Sequence, residues 1–188
     1  MSTVRLYLVR HGRTALNAEG RLRGLANPPL DPVGEAEAAT AGDALTGRGI
    51  GTLFCSPLAR AVRTAAIIGA RVGCDAVADP RFTDRDYGPW TGRLRSEVIA
   101  EFGSVDAAPG VESSAHVLER VLPALEAVLD TTAETEPRGA AVAVVTHDAV
   151  IRPVLAAFGL DHKAETPTGS WAELTRDRTA WQVLSVDN

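Results

Sequence analysis

Residues 141–147 read AVAVVTH. The first six are small or β-branched, none is charged, and the run ends on Thr146 and His147. An apolar stretch of this length with no polar alternation fits a strand covered on both faces, as in a parallel sheet. An antiparallel strand with one wet face would alternate instead. The segment therefore predicts an α/β fold with Ala141–Thr146 as a central strand.

The flanking sequence supplies the other layers. Val4–Val9 (VRLYLV) and Thr52–Cys55 (TLFC) are short, β-branched or aromatic runs bounded by polar residues, and they predict two more strands. Asp31-Pro32 is an N-cap followed by proline, opening an alanine-rich helix to about Leu45, which GRGIG terminates. Ser56-Pro57 repeats that signature ahead of a helix to about Val72. Val117, Val121, Leu125 and Val128 recur at helical spacing within a helix from Ser113 to about Leu129. A last helix runs from about Ala149 to Phe158. Trp171–Thr175 and Trp181–Val186 alternate, predicting a hairpin or two edge strands, a surface on which a homodimer can form. Residues 79–112, rich in Gly, Pro, Asp and Arg and carrying Tyr87 and Trp90, are expected to be an irregular lid or substrate wall with short helical pieces. Strands alternating with helices imply a three-layer, open, mostly parallel sheet with helices on both faces, right-handed crossovers and a single domain over 1–188.

Composition narrows the function classes. The chain has 188 residues, 45% hydrophobic and 23% charged, which is ordinary for a globular protein with a buried core. A net charge of −5 disfavours a general nucleic-acid binder. No apolar run approaches a membrane span, and the N-terminal apolar stretch contains Arg5, unlike a secretory leader. A cytoplasmic protein is the expectation, with Cys55 and Cys74 read as reduced, buried thiols. The histidines and cysteines show no metal-ligand spacing, so neither a metal nor another cofactor is expected. His116 and His162 read as surface or helix residues. GRGIG lacks the Lys-Ser/Thr ending of a phosphate-binding loop and precedes a strand instead of following one.

In open α/β sheets ligands bind beyond the carboxyl ends of the strands. Arg10, His11 and Gly12 follow the first strand. Ser56, Pro57, Leu58 and Arg60 follow the second, and His147 follows the long apolar one. Two histidines and two arginines thus converge on one sheet edge, a set suited to phosphoryl transfer. A neutral imidazole is a nucleophile near neutral pH, guanidinium groups bind phosphate oxygens in a fork, and a second imidazole donates to another oxygen. A carboxyl group is needed to protonate the leaving oxygen and then activate water. Gly12 lets the backbone approach the phosphate.

These residues resemble the histidine phosphatase superfamily, in its phosphoglycerate mutase-like branch. Leu8-Val9-Arg10-His11-Gly12 with Thr14, Asn17, Gly20 and Arg21 resembles the N-terminal signature. Ser56-Pro57-Leu58-Ala59-Arg60-Ala61 with Thr64-Ala65 resembles the second motif, and Gly88, Trp90 and Gly92 resemble the middle one. Pro109-Gly110 with Glu112-Ser113 resembles the loop before the next helix, and Val145-Thr146-His147 with Ile151-Arg152 the last motif. The five motifs cover nearly the whole chain in order. The resemblance implies that His11 is phosphorylated, that Arg10, Arg60 and His147 hold the phosphate, and that Asn17 and Arg21 line the pocket or position substrate.

Asp84 stands where the family usually has the catalytic glutamate, one methylene longer, and is assigned the proton transfers. Asp86, Glu112 and Asp148 are rival donors. Arg13 and Arg23 stand where glutamate and glutamine are frequent. With Arg63 and Arg85 they would make the pocket mouth positive and favour substrates with a second anionic group. The implied activity is that of a metal-independent phosphomonoesterase acting on small phosphorylated metabolites. A phosphoglycerate mutase-type transfer and a catalytically dead phosphate-binding module are the alternatives.

Overall fold

The computed structural model describes residues 4–135, 140–160, 166–177 and 180–186; His162 lies outside the described residues. The strands are β1 (Arg5–Arg10), β2 (Ile50–Cys55), β3 (Ala76–Ala78), β4 (Ala141–Thr146), β5 (Trp171–Asp177) and β6 (Ala180–Val186). They form one sheet in the order β3-β2-β4-β1-β5-β6. β3, β2, β4 and β1 run parallel, and β5 and β6 add an antiparallel edge. The AVAVVT run is buried at every position, between β2 and β1.

The helices are α1 (Ala15–Ala18), α2 (Pro32–Leu45), α3 (Ala59–Val72), α4 (Arg95–Phe102), α5 (Ser114–Thr135) and α6 (Asp148–Ala157). Strand alternation sorts the core into two layers. Leu6 and Leu8 of β1 and Val142 and Val144 of β4 pack with α5 and α6. Tyr7 and Val9 with Ala143 and Val145 pack with α2 and α3 on the opposite face. The chain moves outward through α2 and α3 and returns to β4 through α5 on the other face, as right-handed crossovers demand. Among the described residues, no helix is long and apolar enough to cross a membrane.

One local expectation needs correction, and three short elements were not individually marked by the sequence. Ser56 does not cap α3: the helix starts at Ala59, and the Ser56 hydroxyl accepts from the Leu58 N–H at 3.3 Å in a turn just ahead of it. β3 is a three-residue strand with Val77 exposed, too short to show a pattern. α1 has four residues. α4 buries only Val98 and has no side-chain N-cap, so neither periodicity nor capping marks it. Residues 80–112 otherwise form two 3-10 turns and loops around a small core of Leu22, Tyr87, Val98, Val105 and Ala108.

The first turn of α2 is pressed against the segment leaving β1. A Cβ on Gly34 would lie 2.1 Å from the Arg13 carbonyl oxygen, and one on Gly12 would lie 2.2 Å from the Gly34 oxygen. Helix propensity alone favours Gly34→Ala by about 1 kcal/mol. Both obstacles are backbone, so the clash wins, and a net loss of about 1–3 kcal/mol is expected. Urea unfolding measures it; a raised midpoint would mean that the two backbones are not in contact.

Candidate active site

Register places the two histidines. Arg10 of β1 pairs with Thr146 of β4, so the next residue on each strand, His11 and His147, leaves the sheet beside the other. The His11 N–H donates to the Thr146 carbonyl at 3.0 Å. The imidazole centroids are 5.1 Å apart with planes tilted by 56°, and both side chains are fully buried. The chain after β1 goes to the α2–α3 face, and the chain after β4 goes to the α5–α6 face. The histidines therefore occupy the crevice where neighbouring strands part, the usual ligand position in this architecture.

His11 Nδ1 lies 2.6 Å from the Gly12 carbonyl oxygen. A carbonyl only accepts, so Nδ1 carries the proton and Nε2 keeps its lone pair. Burial, then His147 and the nearby arginines, hold His11 well below the ordinary imidazole value of 6.5. Burial, then Arg60, Arg23 and Arg10, do the same to His147. Both rings are neutral near pH 7.

Arg60, in the first turn of α3, is fully buried. It donates at 2.8 Å to the Ala26 carbonyl, the Gly24 carbonyl and Asp84 Oδ2. Asp84 Oδ1 accepts from the Arg85 N–H at 2.9 Å, and Oδ2 lies 3.5 Å from His147 Nδ1. Arg10 donates to the Thr166 carbonyl. Burial pushes Arg10 and Arg60 down, whereas Asp148 and Asp84 respectively pull them back; a guanidinium stays charged throughout.

Buried polar atoms are normally paired. Among the described residues, those without a hydrogen-bond partner are Arg10 Nε, His11 Nε2, Arg23 Nε, Arg60 Nε, both ring nitrogens of His147, and Trp171 Nε1. All but the last belong to residues coupled electrostatically to His11. The guanidinium groups of Arg10, Arg23 and Arg60 outnumber Asp84, the carboxyl hydrogen-bonded among them, while Asp148 and Glu37 act on Arg10 from farther off. A single dianion with several acceptor oxygens matches both the donors and the charge.

Arg23 is thus part of the cluster and not of a pocket mouth. The other arginines expected there are paired: Arg13 with Asp31 at 2.9 Å, Arg63 with Glu35 at 2.7 Å, and Arg85 with Asp106 at 2.5 Å. Gly12 also needs a different reason. Its N–H donates to Thr64 Oγ1 at 3.0 Å, and its missing side chain admits Gly34. Asn17 Oδ1 accepts from the Thr14 N–H at 3.1 Å and hydroxyl at 2.8 Å in a capping box, leaving its amide NH2 as the remaining donor. Arg21 pairs with Glu19 at 2.7 Å and donates to the Gly92 carbonyl at 2.8 Å. Neither residue is hydrogen-bonded to the buried cluster.

Of the four carboxyl candidates, Asp84 is the one hydrogen-bonded to the cluster's side chains, while Asp148 acts on Arg10 electrostatically. Asp86 accepts from the Gly88 N–H at 2.7 Å, Glu112 pairs with Arg120 at 3.2 Å, and Asp148 accepts from the Thr166 hydroxyl. Cys55 is buried, and burial pushes its thiol up to about 11, which makes it a poor nucleophile. Among the described residues, no three His, Cys, Asp or Glu side chains are grouped to hold a metal ion.

The sequence profile of the histidine phosphatase superfamily (branch 1) matches residues 6–188. A probable phosphoglycerate mutase GpmB of Cronobacter sakazakii is 35% identical over 144 residues, which is 71% of this chain and 67% of that one. The structure of a mycobacterial glucosyl-3-phosphoglycerate phosphatase complexed with VO3 superposes with a TM-score of 0.85 at 26% identity, covering 98% of each chain. A phosphoglycerate mutase from Bacillus anthracis str. Sterne shares the fold, with a TM-score of 0.86 at 20% identity, over 98% of this chain and 93% of that one.

The buried neutral imidazoles make stability pH-dependent. Above the ordinary value of 6.5 the folded and unfolded states bind the same number of protons at these sites. Below it the unfolded chain gains protons that the fold refuses. Stability therefore falls with decreasing pH by up to about 1.4 kcal/mol per unit per imidazole. The urea midpoint should drop below pH 6.5, and the drop should flatten in His11→Asn/His147→Asn. An equal slope in the double variant would show that these rings are not its source.

Proposed function

This chain belongs to the histidine phosphatase superfamily, branch 1, and from that premise we propose that it is a metal-independent phosphomonoesterase working through phosphohistidine at His11. The observation that carries the reading is the lone pair of His11 Nε2, buried among three arginines and a second imidazole. On this reading Arg10, Arg23, Arg60 and His147 bind the phosphate oxygens, with the Asn17 amide as a further donor. His11 Nε2 attacks phosphorus in line. The P–N bond forms, the ester P–O bond breaks, and Asp84, which takes up a proton as the phosphate dianion binds beside it, gives that proton to the leaving oxygen. Asp84, now a carboxylate, takes a proton from water as that water attacks phosphorus and frees neutral His11. The guanidinium groups neutralise the equatorial oxygens as charge spreads over them.

A cavity of about 630 Å³ is lined by Leu22, Tyr87, Ile99, Val105 and Ala149 together with Arg85, Arg95 and Arg152, and it meets the active centre through Asp148, the residue after His147. Its size, with apolar and charged walls, suits a leaving alcohol bulkier than glycerate that carries polar groups, and hence hydrolysis over phosphoglycerate mutase chemistry. On this reading residues 79–112 contribute a substrate wall, together with α6. The substrate is a small phosphorylated metabolite, and the cytoplasm remains the proposed setting. Mutase-type return of the phosphoryl group to product is the second reading, favoured by the 35% identity to the probable phosphoglycerate mutase.

Phosphate release from a panel of phosphomonoesters in EDTA is the test. Turnover should survive the chelator, vanish in His11→Ala, and fall by about 10²–10³ in Arg23→Gln or Arg60→Met. Loss of activity in EDTA, restored by a metal ion, would refute the metal-independent reading. Narrowing the cavity with Ala149→Phe should raise KM for bulky esters at least tenfold and leave glycerol phosphate nearly unchanged. Equal effects on both would remove the cavity from the substrate path.

A further inference from the structure

Asp84 lies in irregular backbone between two 3-10 turns, Pro80–Phe82 and Gly88–Trp90. No sheet or helix holds it. The carbonyl groups of the four residues 81–84 nevertheless all accept hydrogen bonds, and every donor is a side chain. Arg120 on α5 donates to the Arg81 and Thr83 carbonyls at 2.8 Å each and to the Asp84 carbonyl at 3.1 Å. The Thr146 hydroxyl donates to the Phe82 carbonyl at 2.8 Å. Thr146 is the last residue of β4, directly before His147. Arg120 is itself oriented by Glu112, at 3.2 Å and 3.4 Å from its Nε and terminal nitrogen.

We propose that Arg120 and Thr146 are positioning residues that hold the loop so that Asp84, shorter than the glutamate usual in the family, reaches the reacting ester oxygen. The inference rests on Asp84 being the proton donor. A short side chain has little reach of its own, so its backbone must supply the placement. Misplacement of a reacting group by about 1 Å can cost about 10²-fold in rate. The clamp ties this backbone both to α5 and to the strand that delivers His147. Acid and phosphate-binding imidazole are thereby referenced to one rigid element.

The experiment compares kcat/KM for p-nitrophenyl phosphate, whose phenolate leaves with little help, with that for an alkyl phosphate, whose alkoxide needs a proton. This parameter covers steps up to transfer onto His11 and excludes hydrolysis of phosphohistidine. Arg120→Leu and the nearly isosteric Thr146→Val should each raise the aryl-to-alkyl ratio about tenfold or more, toward the ratio of Asp84→Asn. Adding Asp84→Glu to Arg120→Leu should recover part of the alkyl activity, because the longer acid tolerates a looser loop. Thermal melting identifies any variant that fails to fold; Thr146→Val and Arg120→Lys carry the comparison if Arg120→Leu does. Equal losses on both esters, or no rescue by glutamate, would reduce the clamp to a structural contact and overturn the proposal. An Asp84→Asn ratio equal to wild type would instead show that Asp84 is not the acid, independently of what the clamp variants do.

Discussion

Parallel pairing of β1 with β4 is the constraint on which the rest depends. Every hydrogen bond of that ladder is repetitive and joins distant parts of the chain, and its register decides the chemistry. A shift by one residue would turn alternate side chains to the other face. It would bury Arg5 or Arg10 in a hydrophobic layer and separate His11 from His147. Burial of the whole AVAVVT run makes such a shift costly, since both of its faces are committed to core. The fold thus fixes two imidazoles at a centroid spacing of 5.1 Å through apolar packing that carries no chemistry itself.

Around that pair the structure spends stability on charge. Arg60 and Asp84 are buried together, and removing either partner would strand the other's charge. Two carbonyls of the 24–26 loop share the load on Arg60. Burial, reinforced by the same positive field, keeps both imidazoles neutral, which suits a nucleophile on His11. Nucleophile activation and phosphate recognition are therefore one electrostatic arrangement, and an arginine substitution should disturb both.

The layers, the central strand and the strand-end placement of Arg10, His11, Arg60 and His147 were legible in the sequence. They follow from hydrophobic pattern and from the rule that ligands sit at carboxyl ends. Asp84 was legible only through family resemblance, and geometry then separates it from Asp86, Glu112 and Asp148. Arg23 illustrates what sequence cannot carry. It looks like any surface arginine, as do Arg13, Arg63 and Arg85, and only tertiary pairing shows that those three have carboxylate partners. Gly12 was misjudged for the same reason, because its neighbour is Gly34, twenty-two positions away. Arg120 left no signal and Thr146 only its place in the last motif, since their partners are backbone carbonyls that could belong to any residue type. β3 and α4 escaped because elements this short bury too few side chains to impose a period.

The central claim is covalent: the phosphoryl group passes through His11 Nε2. Rapid mixing with substrate, quenching in base and mass analysis of the peptides tests it most directly. A phosphoryl adduct on His11, formed at least as fast as steady-state turnover and lost in acid, is the expected result. Turnover with no adduct on His11 during the first cycle, or with the adduct on another residue, would contradict it.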